Sequence, residues 1–359
     1  MLAGRPQRMK QVNEALIREG LRLRGRATKA DLAWDTGLSQ TTVGQALSQM
    51  EARREIRQAG FKDSSGGRKA AVYELDADAG RGYALAIELD RLDWAVCNAL
   101  GTVIGEGTRV VRSDPVEDAI ALLATLRENG FGSPRGTGAG GTGADGRGPE
   151  ALAVGVPGAV LDGAIITGNF RGKWGEADLI RHLEKRTGLP PLVENDMNAT
   201  ALGFARAAET GNRKLHSLIY VHFNEGPCTG SGLIEGGRIL RGASGFAGEL
   251  GCMPVRPPFT LDQALAASPD GEAYVAAISA ALVSVNCVMN PALIVVGGTD
   301  FRFDLSDALS IRFAAETDSA VRPDLVFVRD SRPHYLAGLC GLAAEALFPA
   351  YRLTETRSY

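Results

Sequence analysis

Apolar residues recur with two different spacings in this chain, and the change between them divides it near residue 80. Before that point they follow a helical period in three stretches, residues 11–19, 28–34 and 40–52. Residues 55–61 and 71–75 instead alternate between apolar and polar side chains, as the two strands of a hairpin do. Three helices followed by a hairpin predict a winged helix-turn-helix domain over residues 1–80.

Short polar residues mark where the second and third helices begin and end. Residues 28–31, Thr-Lys-Ala-Asp, have the pattern of a capping box at a helix start. Gly37 can adopt the left-handed conformation that ends a helix, and Ser39 can cap the helix that follows. For that third helix the spacing predicts three core-facing residues, Val43, Leu47 and Met50.

The outward face of the third helix carries short polar side chains that can hydrogen-bond base edges or phosphates in a major groove. The predicted contacts are Ser39, Gln40, Thr41, Thr42 and Gln45. The connection between the two hairpin strands is basic, and we expect its Arg68 and Lys69 to reach phosphate or a minor groove. A protein-interaction module with a solvated polar face would show the same helices. Residues 1–70 contain 14 Lys and Arg against 7 Asp and Glu, however, and this basic bias favours double-stranded DNA as the partner.

The rest of the chain consists of two successive halves, the first beginning with a β-meander and the second with a hairpin at residues 218–235, and each half continues with helices and further strands. Two such halves predict a duplicated α/β fold with a cleft between them. We expect a first lobe over residues 81–197, with a glycine-rich surface insertion at 130–148 that cannot bury a core. A second lobe is expected over residues 198–334. The final segment, 335–359, begins as a helix that we expect to return to the first lobe.

Composition argues against secretion and against a membrane span. The five cysteines are odd in number and form no C-x-x-C pair, as is typical of reduced thiols in the cytoplasm. The N-terminus lacks the apolar core of a signal peptide. Residues 273–299 are uncharged, but Asn286 and Asn290-Pro291 interrupt them and a β-branched run ends them. A buried helix, a turn and a strand fit this stretch better than a membrane helix, so we expect a cytoplasmic protein.

The segment Leu192–Ala199 contains the most distinctive polar cluster of the body. An apolar pair runs directly into Glu194-Asn195-Asp196, and an alanine-rich helical pattern follows. Carboxylate and amide groups at the end of a strand can hydrogen-bond a polyhydroxylated ligand, and Asp196 can also act as a general base. Asn and Asp are equally good helix N-caps. The residues of this segment alone leave both interpretations open, with the N-cap the more frequent.

The motifs occur in an order that resembles the ROK family of sugar kinases and repressors over nearly the whole chain. The resemblance rests on residues 37–43 (Gly-Leu-Ser-Gln-Thr-Thr-Val) and on four motifs of the body: Gly155-Val156-Pro157-Gly158, Asn169 to Trp174, Glu194 to Asn198, and Gly245 to Gly251. It implies an actin/hexokinase-like two-lobed body with a sugar in the cleft. It also implies a homodimer formed through the second lobe, with a tetramer as the larger alternative. The implied ligand-binding residues are Asn169, Asn195, Asp196 and Glu249.

The two phosphate-binding turns of the family's kinases are altered in this chain. The kinases begin the body with Asp-x-Gly-Gly-Thr, whose glycines let backbone N–H groups approach phosphate. Here the corresponding residues are 88–92, Glu-Leu-Asp-Arg-Leu, a bulky acidic turn. The second loop, normally Gly-Thr-Gly-Ile-Gly, lies at 226–230 and contains Pro227, which removes an N–H and a hydroxyl. Only Gly297-Gly298 remains of a nucleotide site, so the resemblance implies neither ATP binding nor kinase activity.

The zinc module of the family is altered as well. Members usually carry Glu-x-Gly-His followed by a cysteine-rich run. Here Cys252 replaces the histidine, and residues 253–267 contain no cysteine. A single thiol does not make a tetrahedral zinc site, so we expect no metal and no other cofactor.

These features together predict a DNA-binding transcriptional regulator that responds to a sugar and represses genes of carbohydrate metabolism or transport. A sugar kinase with a DNA-binding head is the second hypothesis. The third is a regulator that has lost sugar sensing and uses its body only to dimerise, which the altered zinc region keeps open.

Overall fold

The computed structural model describes residues 5–62, 69–132, 148–161, 163–166, 178–208, 215–224 and 228–348. Within these ranges the chain forms a small N-terminal domain, called the head here, and a larger α/β body. The head contains three helices and three strands: α1 (Arg5–Arg24), β1 (Ala27–Thr28), α2 (Lys29–Thr36), α3 (Gln40–Ala52), β2 (Ile56–Lys62) and β3 (Ala70–Leu75). The strands form one sheet in the order β1-β3-β2.

The structure confirms the helix signals of the head. Thr28 and Asp31 form the predicted capping box, in which the Thr28 hydroxyl accepts the N–H of Asp31 and the Asp31 carboxylate accepts the N–H of Thr28. Gly37 ends α2 in the left-handed conformation at φ 68°, and Ser39 caps α3. The three predicted inward residues of α3 are buried against α1, α2 and β2, in a core that includes Val43, Leu47, Met50, Ile17, Leu21, Leu32 and Ile56. The head is a winged helix-turn-helix domain whose first helix begins earlier than predicted.

The body is built from two halves of similar composition. The first half contains β4 (Arg81–Ile87), β5 (Arg91–Asn98), β6 (Val103–Val110), α4 (Pro115–Leu126), β7 (Glu150–Val156), β8 (Val160–Leu161), β9 (Ala164–Ile165), α5 (Asp178–Thr187), β10 (Pro191–Asn195) and α6 (Asp196–Ala208). The second half contains β11 (Leu218–Asn224), β12 (Cys228–Glu235), β13 (Arg238–Ile239), β14 (Pro254–Arg256), β15 (Phe259–Thr260), α7 (Leu261–Ala266), α8 (Gly271–Met289), β16 (Leu293–Gly297), α9 (Ser306–Glu316), β17 (Asp324–Val328) and α10 (Arg332–Leu347).

Two five-stranded sheets repeat one topology. The strand order is β10-β7-β4-β5-β6 in the first sheet and β17-β16-β11-β12-β13 in the second. In each sheet an antiparallel meander occupies one side, and two later strands add in parallel beside the first strand of the meander. The predicted duplicated α/β fold is therefore confirmed.

Helices α6 and α10 connect the two sheets and cross each other in direct backbone contact. Helix α6 packs on the second sheet, whereas α10 packs on a first-sheet face made of the small residues Ala84, Ala86, Ala95 and Ala153. At the crossing, a Cβ atom on Gly203 would overlap the carbonyl oxygen of His334. A Cβ on Gly338 would overlap the carbonyl oxygen of Ala199. The separation of the two helices at this point is thus set by two glycines.

Helix α8 is long and apolar enough to cross a membrane by length and composition alone. It is a core helix of the second lobe, since its inward side chains pack with those of β16. Asp270 caps its start by accepting the N–H of Ala273 (2.9 Å), and Asn290 ends it in the left-handed conformation. A buried helix, a turn and a strand were expected for residues 273–299, and this is the arrangement found.

Strand β12 begins at Cys228, earlier than the predicted residue 232. Cys228-Thr229-Gly230, interpreted from the sequence as part of an altered phosphate loop, pairs instead with β11. The glycines of this strand make room for α6, because a Cβ on Gly232 would overlap the carbonyl oxygen of Met197. Gly298 likewise packs on the backbone of Phe223, where a Cβ would overlap the carbonyl oxygen. Glycines that suggest phosphate binding in the sequence therefore serve close packing in the fold.

The helix crossing gives the first prediction. Replacing Gly203 with alanine should destabilise the body by about 2–3 kcal/mol, because the added methyl group has no space beside the backbone of α10. Urea unfolding followed by tryptophan fluorescence measures this change. Gly44→Ala, within α3, is the matched control: its Cβ would lie 3.4 Å from the Lys29 side chain, and alanine in a helix interior should stabilise the head by about 0.5–1 kcal/mol. Equal effects of the two substitutions would contradict the crossing as described.

Candidate ligand-binding cleft and nucleic-acid interface

Asn195 ends strand β10 and Asp196 begins α6, at the carboxyl edge of the first sheet. The Asn195 amide nitrogen donates hydrogen bonds to the Gly158 carbonyl oxygen (2.9 Å) and to Oδ1 of Asp196 (2.7 Å). Its Oδ1 accepts the N–H of Asn198 (2.9 Å). Asn195 is therefore the N-cap of α6. The N-cap interpretation applies to Asn195 and leaves Asp196 available for a second role.

The Asp196 carboxylate lies in a buried, negatively charged environment. Its Oδ1 also accepts the N–H of Met197 (2.8 Å). Burial raises the pKa of Asp196 to about 6, and the charge of Glu249 acts in the same direction against the effect of the Met197 N–H. Glu249, predicted as a ligand residue from a separate motif, therefore acts electrostatically on Asp196.

The second lobe contributes two carboxylates to this cluster, Glu249 and Asp262. Asp262 lies in the first turn of α7, and its Oδ1 accepts the N–H of Thr229 at the start of β12 (3.0 Å). Burial and the charge of Asp262 both raise the pKa of Glu249. Gly230 of the same strand lies against the side chain of Met197. The start of β12 therefore holds the second-lobe carboxylates beside the start of α6.

Glu88 adds a fourth carboxylate at the turn between β4 and β5. The turn is closed by its N–H, which donates to the carbonyl oxygen of Arg91 (2.9 Å). Burial raises the pKa of Glu88 to about 7, and the charge of Asp196 adds to this effect. A cluster of four carboxylates matches a ligand that donates hydroxyl hydrogens and repels one that carries phosphate.

An ion pair between Arg241 and Glu194 joins the two lobes beside this cluster. Glu194 is 2% exposed, and its Oε1 also accepts the backbone N–H of Asn195 (3.0 Å) and the side-chain amide of Asn198 (3.0 Å). The loop that follows Arg241 lies against the first lobe, where Gly245 packs on the carbonyl oxygen of Val160. The loop that carries Glu249 is thus anchored to the strand that carries Asn195.

Tyr335, on the first turns of α10, is a cleft neighbour that the sequence did not indicate. It lies under β7, where Gly155 provides the space: a Cβ there would overlap the tyrosine hydroxyl. That hydroxyl is buried and has no hydrogen-bond partner in the part of the chain that the structure describes. Burial raises the pKa of Tyr335, and the charges of Asp196 and Glu88 raise it further. The Gly-Val-Pro-Gly motif predicts that another residue packs closely on Gly155, but the sequence does not indicate that this residue is Tyr335.

The predicted DNA contacts of the head lie on the first two turns of α3. Ser39, Gln40, Thr41 and Gln45 are exposed, and Thr42 is half-buried. Ser39 accepts the N–H of Thr42 (3.1 Å), and the two hydroxyl oxygens are 2.9 Å apart. Ser39 and Thr42 therefore shape the start of the helix, whereas Gln40, Thr41 and Gln45 present their side chains outward.

The wing is formed by β2 and β3, which pair antiparallel with a bulge between Gln58 and Gly60. Lys62 and Lys69 are exposed at the two ends of the wing connection. Arg68 lies outside the described residues, as do Asn169 of the predicted ligand set and most of the predicted insertion at 130–148.

Cys252, which stands at the family's zinc position, is exposed at the end of the loop that carries Glu249. The thiol pKa of Cys228, at the start of β12, is raised by burial and by the charge of Asp262. A raised pKa opposes the thiolate form that metal coordination needs. Within the described ranges, no group of three or more His, Cys, Asp or Glu residues is arranged to hold a metal ion.

The fold and the cleft define a two-lobed α/β protein of the actin/hexokinase type that carries a winged helix-turn-helix head. Residues 144–264 match the model of the ROK family.

The similar proteins include both regulators and kinases. A putative xylose repressor of Caldicellulosiruptor sp. (strain Rt8B.4) is 26% identical over 251 residues, which are 69% of this chain and 59% of the repressor. The chain thus matches about three fifths of that relative's length. The structure of a ROK family transcriptional regulator, a homologue of the E. coli MLC protein, superposes with a TM-score of 0.71 at 16% identity over 95% of this chain and 99% of that one. A ROK hexokinase from Thermus thermophilus superposes with a TM-score of 0.56 at 21% identity, over 74% of this chain and 99% of the hexokinase.

The raised pKa of Glu88 gives the second prediction. Its value is about 7 in the folded protein, against the ordinary 4.5 of an unfolded chain, so folding binds a proton between these values. The free energy of unfolding should therefore fall as pH rises through this window. Glu88→Gln removes the penalty and should be about 1 kcal/mol more stable than the natural chain near pH 8, with no difference near pH 4.5.

Thermal unfolding of both chains across the pH range measures this difference. Asp307→Asn, at an exposed position on α9, is the control and should give a pH-independent offset. A Glu88→Gln chain that parallels the natural one at every pH would exclude a buried, titrating Glu88.

Proposed function

We propose that this protein is a transcriptional regulator that binds operator DNA through its head and a sugar in the cleft of its body. In this proposal it acts in the cytoplasm as a homodimeric repressor of genes for carbohydrate metabolism or transport, and it has no kinase activity. The observation that carries the proposal is the combination of a winged helix-turn-helix head with a sugar-kinase-like cleft. In that cleft, the half-buried Glu88 carboxylate occupies the position of the first phosphate-binding turn of the kinases.

The share of the chain that superposes on each similar structure supports a regulator over a kinase. The MLC-homologue regulator superposes on 95% of this chain, which leaves about 18 residues unmatched and so includes most of the head. The hexokinase superposes on 74%. The putative xylose repressor matches 69% of the chain at 26% identity, which makes a pentose the first effector to test.

The proposed DNA interface consists of the start of α3 in a major groove and the wing on the flanking backbone or minor groove. The contacts are Gln40, Thr41 and Gln45 on α3, oriented by the Ser39–Thr42 cap, and Arg68 and Lys69 on the wing. In a two-fold dimer these heads would bind two half-sites one or more helical turns apart.

The recognition helix gives the third prediction. Gln45→Ala should weaken binding to selected operator DNA by about 1–3 kcal/mol, because a side chain that reads a base edge is lost. Gln49→Ala is the matched control: Gln49 is also exposed, one turn further along α3, and should have little effect. The DNA is selected from random fragments by the natural chain, and affinities are measured by fluorescence anisotropy at one fixed salt concentration. Equal affinities of the natural and Gln45→Ala chains would contradict this placement of the recognition helix.

The acidic cleft gives the fourth prediction. Xylose and glucose should raise the melting temperature of the protein, whereas glucose 6-phosphate should not, because its phosphate would lie among Glu88, Asp196, Glu249 and Asp262. Asp196→Ala and Glu249→Ala should each remove the effect of the neutral sugars.

Isothermal calorimetry with the same sugars checks that prediction directly. Asp307→Asn is again the control and should bind like the natural chain. No binding by any sugar of a wide neutral panel would favour the regulator without sugar sensing, and sugar-dependent consumption of ATP would establish the kinase.

A further inference from the structure

Helix α10 extends from the cleft to the head. Its 16 residues span about 24 Å. Near the cleft it is fixed to the first sheet by Arg332, which donates hydrogen bonds to Oδ1 of Asp93 (2.9 Å) and to the carbonyl oxygen of Gly107 (3.0 Å). At its other end, Phe348 faces Arg18 of the head, and Leu347 lines the groove beside it. One helix therefore runs from the proposed ligand cleft to the domain that carries the proposed DNA interface.

At the cleft, α10 is joined to α6, the helix that begins with Asp196. The backbones touch at Gly203 and Gly338, so neither helix can move along the other without losing this contact. Arg206 near the end of α6 forms an ion pair with Glu345 of α10. A ligand that displaces the start of α6 must therefore act on α10 as well.

At the head, the contact is an aromatic ring against a guanidinium group. The Phe348 ring centre lies 5.5 Å from Cζ of Arg18 on α1. Arg18 in turn donates a hydrogen bond to Glu55 (2.8 Å), and Glu55 also pairs with Arg53 (2.6 Å). The backbone carbonyl of Glu55 accepts the N–H of Asp76, at the start of the segment that leads into the body (3.0 Å). Phe348 thus contacts the ion-pair network that holds the linker.

A cavity of about 310 Å³ lies where the head meets the body, lined by residues of α1 and by Leu347 and Phe348. In its lining, Oε1 of Glu14 and Nε of Arg18 are buried without hydrogen-bond partners among the described residues. A domain contact that contains unfilled space and polar atoms without partners loses few interactions when the two domains change their relative position.

We propose that α10 couples the cleft to the head, so that ligand binding at Asp196 alters the contact between Phe348 and Arg18 and thereby the position of the DNA-binding helices. This inference rests on the proposed function and adds its mechanism of regulation. At the cleft end, Tyr335 of α10 packs against Gly155 of β7, and its buried hydroxyl has no hydrogen-bond partner among the described residues. The ligand can change DNA affinity only if it binds the two arrangements of head and body with different affinities. At typical coupled sites, one ligand changes the affinity for the other about 5- to 150-fold.

The first test measures coupling in the full-length chain. DNA selected from random fragments is titrated with and without xylose and glucose, and sugar binding is measured separately by calorimetry. Phe348→Ala should bind sugar and DNA like the natural chain, but the effect of sugar on DNA affinity should fall to within about twofold of none. Val110→Ala, which shortens an exposed apolar side chain on the edge strand β6, should keep the full effect. A Phe348→Ala chain that responds like the natural one overturns the inference.

The second test needs neither a sugar nor DNA. Hydrogen exchange of the α1 amides is compared between the natural chain and Asp196→Asn, which perturbs the cleft end of α6. We expect a change of about fivefold or more in α1, and its loss when Asp196→Asn is combined with Phe348→Ala. Phe348→Leu, which keeps the apolar volume and removes the ring, replaces Phe348→Ala if that variant unfolds in a thermal melt.

The two tests separate the inference from the function on which it rests. Absence of sugar and DNA binding in the natural chain would refute the proposed function, while the exchange experiment still reports the coupling. Unchanged α1 exchange in Asp196→Asn, or a change that persists without the Phe348 ring, would refute the coupling alone.

Discussion

The backbone contact between α6 and α10 is the constraint on which the rest of the body depends. Two glycines, Gly203 and Gly338, let the helices touch, and alanines on the first sheet let α10 lie close to the strands. Because the helices are this close, Asp196 at the start of one and Tyr335 at the start of the other lie beside the same strand end. The positions of the cleft residues are therefore fixed by packing far from the ligand.

The ionised carboxylates of the cleft are unfavourable in the folded protein, because they are removed from water and repel one another. Burial and mutual repulsion raise the pKa values of Glu88, Asp196 and Glu249. Arg241 does not neutralise this cluster, because it is paired with the buried Glu194. A ligand that donates hydroxyl hydrogens to these groups would relieve the repulsion without bringing a negative charge into the cleft. The repulsion that lowers the stability of the fold therefore favours the binding of a neutral polyol.

The sequence predicted the elements whose signals are local and missed those that depend on distant partners. Helix caps such as Ser39 and the duplicated strand pattern depend on residues close together in the chain, and they were correct. Asp262 has the pattern of an ordinary residue in a capped first helical turn, and its role in the cleft follows from pairing with Thr229 across 33 residues. Gly230 of β12 was interpreted as part of a phosphate loop because glycine has the same sequence signature whether a ligand or a helix approaches it.

The contact between Phe348 and Arg18 also bears on how such proteins exchange their domains in evolution. A winged helix is a compact unit, and gene fusion can join it to many different bodies. In this chain the head contacts the body through a short linker and through the last residues of a helix encoded more than 250 residues later. A head joined to the body by such a fusion would therefore share its chain without the Phe348–Arg18 contact, unless the two joined sequences already carried a matching pair of residues at these positions.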